Sequence, residues 1–125
     1  MKSDSEISCW GDNSYGQLDV PSDLALVSEL SSGAAYTCAL QGNAAVKCWG
    51  TTAYGNVVPN DLQPATNLRS GNAHNCIIKS DQNVQCWGWN QDGQANVPLD
   101  LGEVDGISAG YWHTCAIKSD DSVEC

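Results

Sequence analysis

The sequence predicts an all-β fold made of small repeated antiparallel sheets, and three observations carry that prediction. The triplet Cys-Trp-Gly occurs at Cys9-Trp10-Gly11, Cys48-Trp49-Gly50 and Cys86-Trp87-Gly88, and a further cysteine stands at Cys125, so the cysteines recur at intervals of 39, 38 and 39 residues. A fixed period in this range marks a repeat architecture. Within each period, apolar runs of four or five residues are bounded by turn residues, which is strand patterning. No stretch carries the 3.6-residue period of an amphipathic helix.

The repeats are read as 9–47, 48–85 and 86–125, and each has the same parts in the same order. After the triplet comes a polar loop with a glycine seven residues past the cysteine: Gly16, Gly55 and Gly93. A proline followed by Asp-Leu comes next, at Pro21, Pro59 and Pro98. The second repeat is one residue shorter before its proline. A surface loop tolerates such a change, whereas a strand would turn every side chain to its other face. The next segments end in small residues and glycine: Leu30 to Gly33, Leu68 to Gly71 and Ile107 to Gly110. Small side chains there suit strands that converge where several sheets meet.

Two more strands follow in each repeat, Tyr36 to Leu40 with Val46 to Cys48 in the first, separated by a polar turn. Opposed residues of an antiparallel hairpin have a constant index sum. Cys38 with Cys48 and Leu40 with Val46 both give 86; Cys76 with Cys86 and Ile78 with Val84 give 162; Cys115 with Cys125 and Ile117 with Val123 give 240. One register therefore places an apolar pair and a cysteine pair face to face in every repeat. A weaker fourth strand is expected around Leu18-Asp19-Val20, Val57-Val58 and Ala95-Asn96-Val97. Four-stranded sheets of this length, repeated and convergent, are β-propeller blades, about three per chain. A β-helix has shorter rungs and no cysteine pairs across a hairpin.

At 125 residues the chain amounts to one domain or less, with 15 acidic and 5 basic residues and a net charge of −10. That charge repels phosphate, so neither nucleic acid nor an anionic membrane is expected as a partner. Solubility accounts for it. No apolar run is long enough to span a bilayer, and the opening Met1-Lys2-Ser3-Asp4 has no signal-peptide character.

The motif Cys-Trp-Gly-x-Asn-x-x-Gly-Gln, at Cys9 to Gln17 and Cys86 to Gln94, resembles the repeat of the regulator of chromosome condensation family. So does Gly-x-x-His-x-Cys-Ala followed by Val-x-Cys-Trp-Gly. The second repeat departs from it, with Thr52 in place of the asparagine and Asn56 in place of the glutamine. The paired cysteines resemble those of bacterial extracellular members and of some plant receptor-kinase ectodomains. The resemblance implies a ring of four-stranded blades, usually seven, and members that act by binding other proteins. Those activities reside in particular loops and carry over to no residue here.

The register pairs Cys38 with Cys48, Cys76 with Cys86 and Cys115 with Cys125, and leaves Cys9 as an unpaired thiol. Metal binding through His74 with Cys76 and His113 with Cys115 is the rival reading. Zinc needs four convergent ligands, each repeat offers at most three, and Tyr36 replaces the histidine in the first. Disulfides are therefore expected, and with them an extracellular or periplasmic location; reduced thiols would leave the location open. No metal and no cofactor is expected. His74 and His113 read as structural hydrogen-bonders, and no nucleophile stands beside a histidine and a carboxylate, so the chain is not expected to be an enzyme. Trp10, Trp49 and Trp87 recur with the blade and read as core. Tyr15, Tyr54, Trp89, Tyr111 and Trp112 fall in or beside loops, where amphipathic rings suit a binding face for protein or sugar, or packing between blades.

Three readings of function follow: a protein-interaction module, a sugar-binding propeller, and a structural fragment without a ligand. Three blades leave two blade faces open. A two-fold homodimer would make six blades, three chains would make nine, and a piece of a longer propeller is the third possibility. Residues 1–8 duplicate the strand at 118–125, so two copies of one strand compete for a place opposite Cys115. The tethered C-terminal copy is expected to win, because its loop-closure entropy is smaller.

Overall fold

Among the described residues, nine strands form three separate antiparallel sheets. The computed structural model describes residues 6–51, 53 and 57–125. The strands are β1 (Val27–Ser32), β2 (Tyr36–Gln41), β3 (Val46–Gly50), β4 (Ala65–Ser70), β5 (His74–Lys79), β6 (Val84–Gly88), β7 (Val104–Ala109), β8 (Thr114–Lys118) and β9 (Val123–Glu124). The sheets run β1-β2-β3, β4-β5-β6 and β7-β8-β9. Each is one propeller blade.

The hairpin register follows the index sums. Cys38 faces Cys48 and Leu40 faces Val46; Cys76 faces Cys86 and Ile78 faces Val84; Ile117 faces Val123. The turns repeat as well. Ala44, Gln82 and Asp121 have φ of 66°, 66° and 67°. The side chains of Asn43, Asp81 and Asp120 each accept from the backbone N–H two residues on, at 3.0–3.1 Å. This is the Asx turn that short amide and carboxylate side chains favour.

β1, β4 and β7 each carry a one-residue register shift near their start, at Val27/Glu29, Ala65/Asn67 and Val104/Gly106. Such bulges increase strand twist. The hydroxyls of Ser28 and Thr66 at the first two bulges donate to the carbonyls of Leu40 and Ile78. These three are the converging strands. Glu29 on β1 accepts from the Leu68 N–H of β4 at 2.7 Å and pairs with Arg69 at 3.0 Å. The Ser70 N–H donates to the Ser31 hydroxyl at 2.8 Å.

The core lies between blades rather than within one. Tyr36, Cys38 and Leu40 of the first blade meet Ala65, Leu68, Ile77 and Trp87 of the second. Ile78 and Val84 of the second meet Leu101, Val104, Ile107 and Ala116 of the third. Each blade thus has a leading face that packs on the next blade and a trailing face that receives the one before. The triplet closes a blade, since Cys48-Trp49-Gly50 lies in β3 and Cys86-Trp87-Gly88 in β6. Gly50 has φ 106°, and a Cβ there would stand 2.6 Å from the Ala35 carbonyl oxygen. Only glycine fits that position.

Two expectations are corrected. The fourth strand is absent among the described residues: each blade has three. In the first and third repeats the loop asparagine competes for the backbone groups of that strand. Asn13 accepts from the Leu18 N–H and donates to Asp19, both at 2.8 Å. Asn90 does the same to Ala95 and Asn96, at 2.8 and 2.7 Å. Backbone bonds from Asp19 to Gly16 and from Asn96 to Gly93 complete the loops. The groups that a sheet ladder needs are already engaged. The second correction is Trp10, read as core but 86% exposed, against 8% for Trp49 and Trp87. Among the described residues, none covers its ring.

Candidate functional site

The loops between the first two strands of each blade, with the segments that follow the triplets, gather at one rim. Main-chain bonds fix them to one another. Ala34 donates to the Asn72 carbonyl across the first blade boundary at 3.0 Å. Thr51 donates to Ala35 at 2.9 Å and Trp89 to Ala73 at 2.8 Å. Gly71 sits where a Cβ would meet the His74 ring at 2.2 Å and the next blade's Gly110 carbonyl oxygen at 2.5 Å. Glycine there allows neighbouring loops to touch.

A cleft of about 550 Å³ opens at this rim. Tyr15, Trp89, Tyr111 and Trp112 line it together, with Asn72 and Thr51 as the amide and hydroxyl between them. Tyr15, Tyr111 and Trp112 are 61%, 63% and 46% exposed. Trp89 is half-buried. Tyr111 and Trp112 pack edge to face, with centroids 4.6 Å apart and planes at 81°. Tyr54 lies outside the described residues; its neighbour Ala53 lines the cleft. None of the described lining side chains is a carboxylate, ammonium, guanidinium or imidazole. The cleft can stack on flat or apolar groups and hydrogen-bond their edges. Asn72 and Thr51 were not singled out in the sequence; their position beside the conserved-length turns of the repeat is the only signal they carry.

The remaining site residues serve the scaffold. Cys38 and Cys48, Cys76 and Cys86, and Cys115 and Cys125 are disulfide-bonded, with Cα atoms 4.0, 4.1 and 4.0 Å apart. Cys9 is a free, half-buried thiol. His74 is buried, and its Nε2 lies 2.9 Å from the Thr114 hydroxyl. Thr114 gives its single proton to the Gln94 carbonyl at 3.0 Å. His74 Nε2 is therefore the donor of the pair. Burial holds the imidazole below its ordinary pKa, and the backbone of His113 offsets part of that. Tyr36 occupies the equivalent place in the first blade, and burial pushes its phenol up to about 12. His113 is exposed on the leading face of the third blade.

Repeated three-stranded blades, packed face to face with converging inner strands, define a β-propeller. Residues 66–94 match the regulator of chromosome condensation (RCC1) repeat. The entire ectodomain of the Physcomitrella patens receptor kinase CR4 is 28% identical, with a TM-score of 0.78 over 94% of this chain and 34% of that one. The CRINKLY WD40 ectodomain of the Arabidopsis thaliana receptor kinase ACR4 is 29% identical, with a TM-score of 0.76 over 94% of this chain and 47% of that one. Yeast RCC1 (Prp20), in its crystal structure with Kap60 bound, shares the fold at 15% identity and a TM-score of 0.71, over 91% of this chain and 38% of that one. The chain thus spans less than half the length of these structures. No curated protein sequence matches it.

Proposed function

We propose that the chain is a non-enzymatic protein-interaction module that grips an uncharged, apolar or proline-containing segment of its partner in the aromatic cleft. The observation that carries this reading is the convergence of Tyr15, Trp89, Tyr111 and Trp112, drawn from both ends of the chain, on one cleft. Aromatic-lined grooves suit extended peptides, whose rigid backbone loses little entropy on docking. Yeast RCC1, which shares the fold, was crystallised with a protein bound to it. The three disulfides and the two receptor-kinase ectodomains support an extracellular setting. Sugar binding is the second reading, favoured by Asn72 and Thr51 beside the rings. A displayed peptide library and a glycan array, each probed with the wild type and with Trp89→Ala/Trp112→Ala, separate the two. Peptide binding lost in the double variant is the expected result. Glycan binding lost in its place would favour the second reading, and binding unchanged by the substitutions would remove the cleft from the function.

The module also completes its ring with a second copy of itself, joined head to tail. The supporting observation is a pair of open faces that are repeat copies of buried ones. Leu30 on the trailing face of the first blade is 44% exposed, whereas its equivalent Leu68 is fully buried. Ile117 on the leading face of the third blade is 48% exposed, whereas its equivalents Leu40 and Ile78 are each 3% exposed. Each open face is therefore shaped for the other. Two chains give a six-bladed ring; a nine-bladed ring of three chains is distinguished by its mass in solution.

A further inference from the structure

A cavity of about 250 Å³ lies between the second and third blades. Val84, Cys86, Val97, Leu101, Ile107 and Ala116 line it. One repeat earlier, the equivalent residues Val46, Cys48, Val58, Leu62, Leu68 and Ile77 belong to the cluster that contains Trp87. The offset is 38 residues for the first two and 39 for the other four, which is the repeat itself. The cavity is therefore a tryptophan slot by construction.

Its polar end is preserved too. In the first blade the Gln17 carbonyl accepts from both the Thr37 hydroxyl and Trp49 Nε1, each at 3.0 Å. In the third blade the equivalent Gln94 carbonyl accepts from Thr114 at 3.0 Å, and Gln94 lines the cavity. A carbonyl oxygen has two lone pairs, so a second donor has an acceptor waiting. Gln94 is itself buried, and its Nε2 has no partner among the described residues.

We propose that the slot takes Trp10 of a second copy of this chain, with the indole N–H donating to the Gln94 carbonyl. This rests on the head-to-tail ring proposed above and names the side chain that locks each seam. Trp10 is the tryptophan of the first triplet and is 86% exposed. Gly11 has φ 114°, against 106° for Gly50 and 107° for Gly88, so the incoming triplet already has the backbone shape of the two that are seated. β9 ends at Glu124 and Cys125 is bonded to Cys115, so the incoming Trp10-Gly11 continues the line of that strand. Residues 6–9 of the incoming chain then pass outside β9.

The test is sedimentation equilibrium of the full chain. Trp10→Ala removes a side chain that is exposed within its own chain. Its unfolding midpoint therefore matches the wild type's at concentrations where both are monomeric, and falls below it only where the wild type is dimeric. A two-fold ring has two seams, and an anchoring tryptophan is worth at least about tenfold at each, so dimerisation weakens about a hundredfold. A chain extended by Trp-Gly after Cys125 fills its slot in cis and weakens the dimer to the same degree. Ile117→Asp disrupts the open face without touching the slot. If Ile117→Asp dissociates the dimer while Trp10→Ala and the extended chain leave it unchanged, the slot assignment is wrong and the ring stands. A wild type that is monomeric at every concentration overturns both.

Discussion

Tyr36 donates its phenol to the carbonyl of His74 across the first blade boundary at 3.0 Å. His74 holds Tyr36's own position one repeat later, 38 residues on. The repeat thus binds its own next copy: His74 in turn reaches Thr114 of the third blade. A side chain that connects the inner ends of two blades must be long, buried and able to donate, which both tyrosine and histidine are.

The first prediction is that Tyr36→Phe destabilises the fold by about 0.5–1.5 kcal/mol, the net worth of a buried hydrogen bond, since the His74 carbonyl keeps the Gly71 N–H as a second donor at 2.8 Å. The phenol is buried and, with its pKa raised to about 12, stays protonated throughout the working range. Urea unfolding at neutral pH measures the change. An unaltered midpoint would mean that the Gly71 and His74 carbonyls find other partners.

The second prediction concerns pH. Burial depresses the folded-state pKa of His74 below the ordinary imidazole value of 6.5; the backbone of His113 offsets part of that, and the charge of His113 pushes the same way as burial. Below 6.5 the unfolded chain binds a proton that the folded chain refuses. Stability is therefore constant above that value and falls as pH drops from 6.5 toward the depressed folded value. The exposed carboxylates of Asp12, Asp23, Asp81 and Asp120, each held below 3.8 by hydrogen bonds from neighbouring groups, lose their contribution only at lower pH still. Urea midpoints across this range should decline in the wild type and flatten in His74→Gln, which keeps a donor for Thr114. An equal decline in both would assign the titration to another group.

The sheet registers were legible because cysteines and β-branched or leucine residues occupy the same two rungs of every hairpin, so one arithmetic condition fixed three pairings. The loop motif was legible as a motif but not as a structure. Asn13 and Asn90 spend both ends of their amides inside the loop, and that competes with the fourth strand which Leu18 to Val20 and Ala95 to Val97 could otherwise form. The pattern of alternation gives no sign of that competition. The aromatic cleft was legible only as a set of residue types in loops. Its assembly depends on main-chain bonds between blades, such as Ala34 to Asn72, which no side-chain pattern encodes. Trp10 looks identical to Trp49 and Trp87 in sequence, because what differs is whether other described residues cover the ring.

The last prediction concerns the strand that the chain carries twice. β9 is two residues long, and Val123 on it is 67% exposed, so β8 holds it through few contacts besides the Cys115–Cys125 bond. A loop of this size constrained by a disulfide is worth about 2–3 kcal/mol. That tether favours the C-terminal copy over residues 7–9 of another chain, whose Cys9 is free. Cys125→Ser removes the advantage and leaves Cys115 as an unpaired thiol opposite an open strand position. The incoming Ile7-Ser8-Cys9 then takes that position, and Cys9 of one chain bonds to Cys115 of the other. Non-reducing electrophoresis should show a covalent dimer for Cys125→Ser, none for the wild type, and none for Cys9→Ser/Cys125→Ser. A digest of the wild type should contain the Cys115–Cys125 peptide. A Cys9–Cys115 peptide from the wild type would show that the N-terminal copy displaces β9 even against its tether, and a Cys125→Ser chain that stays monomeric would show that the two copies of the strand do not share a place.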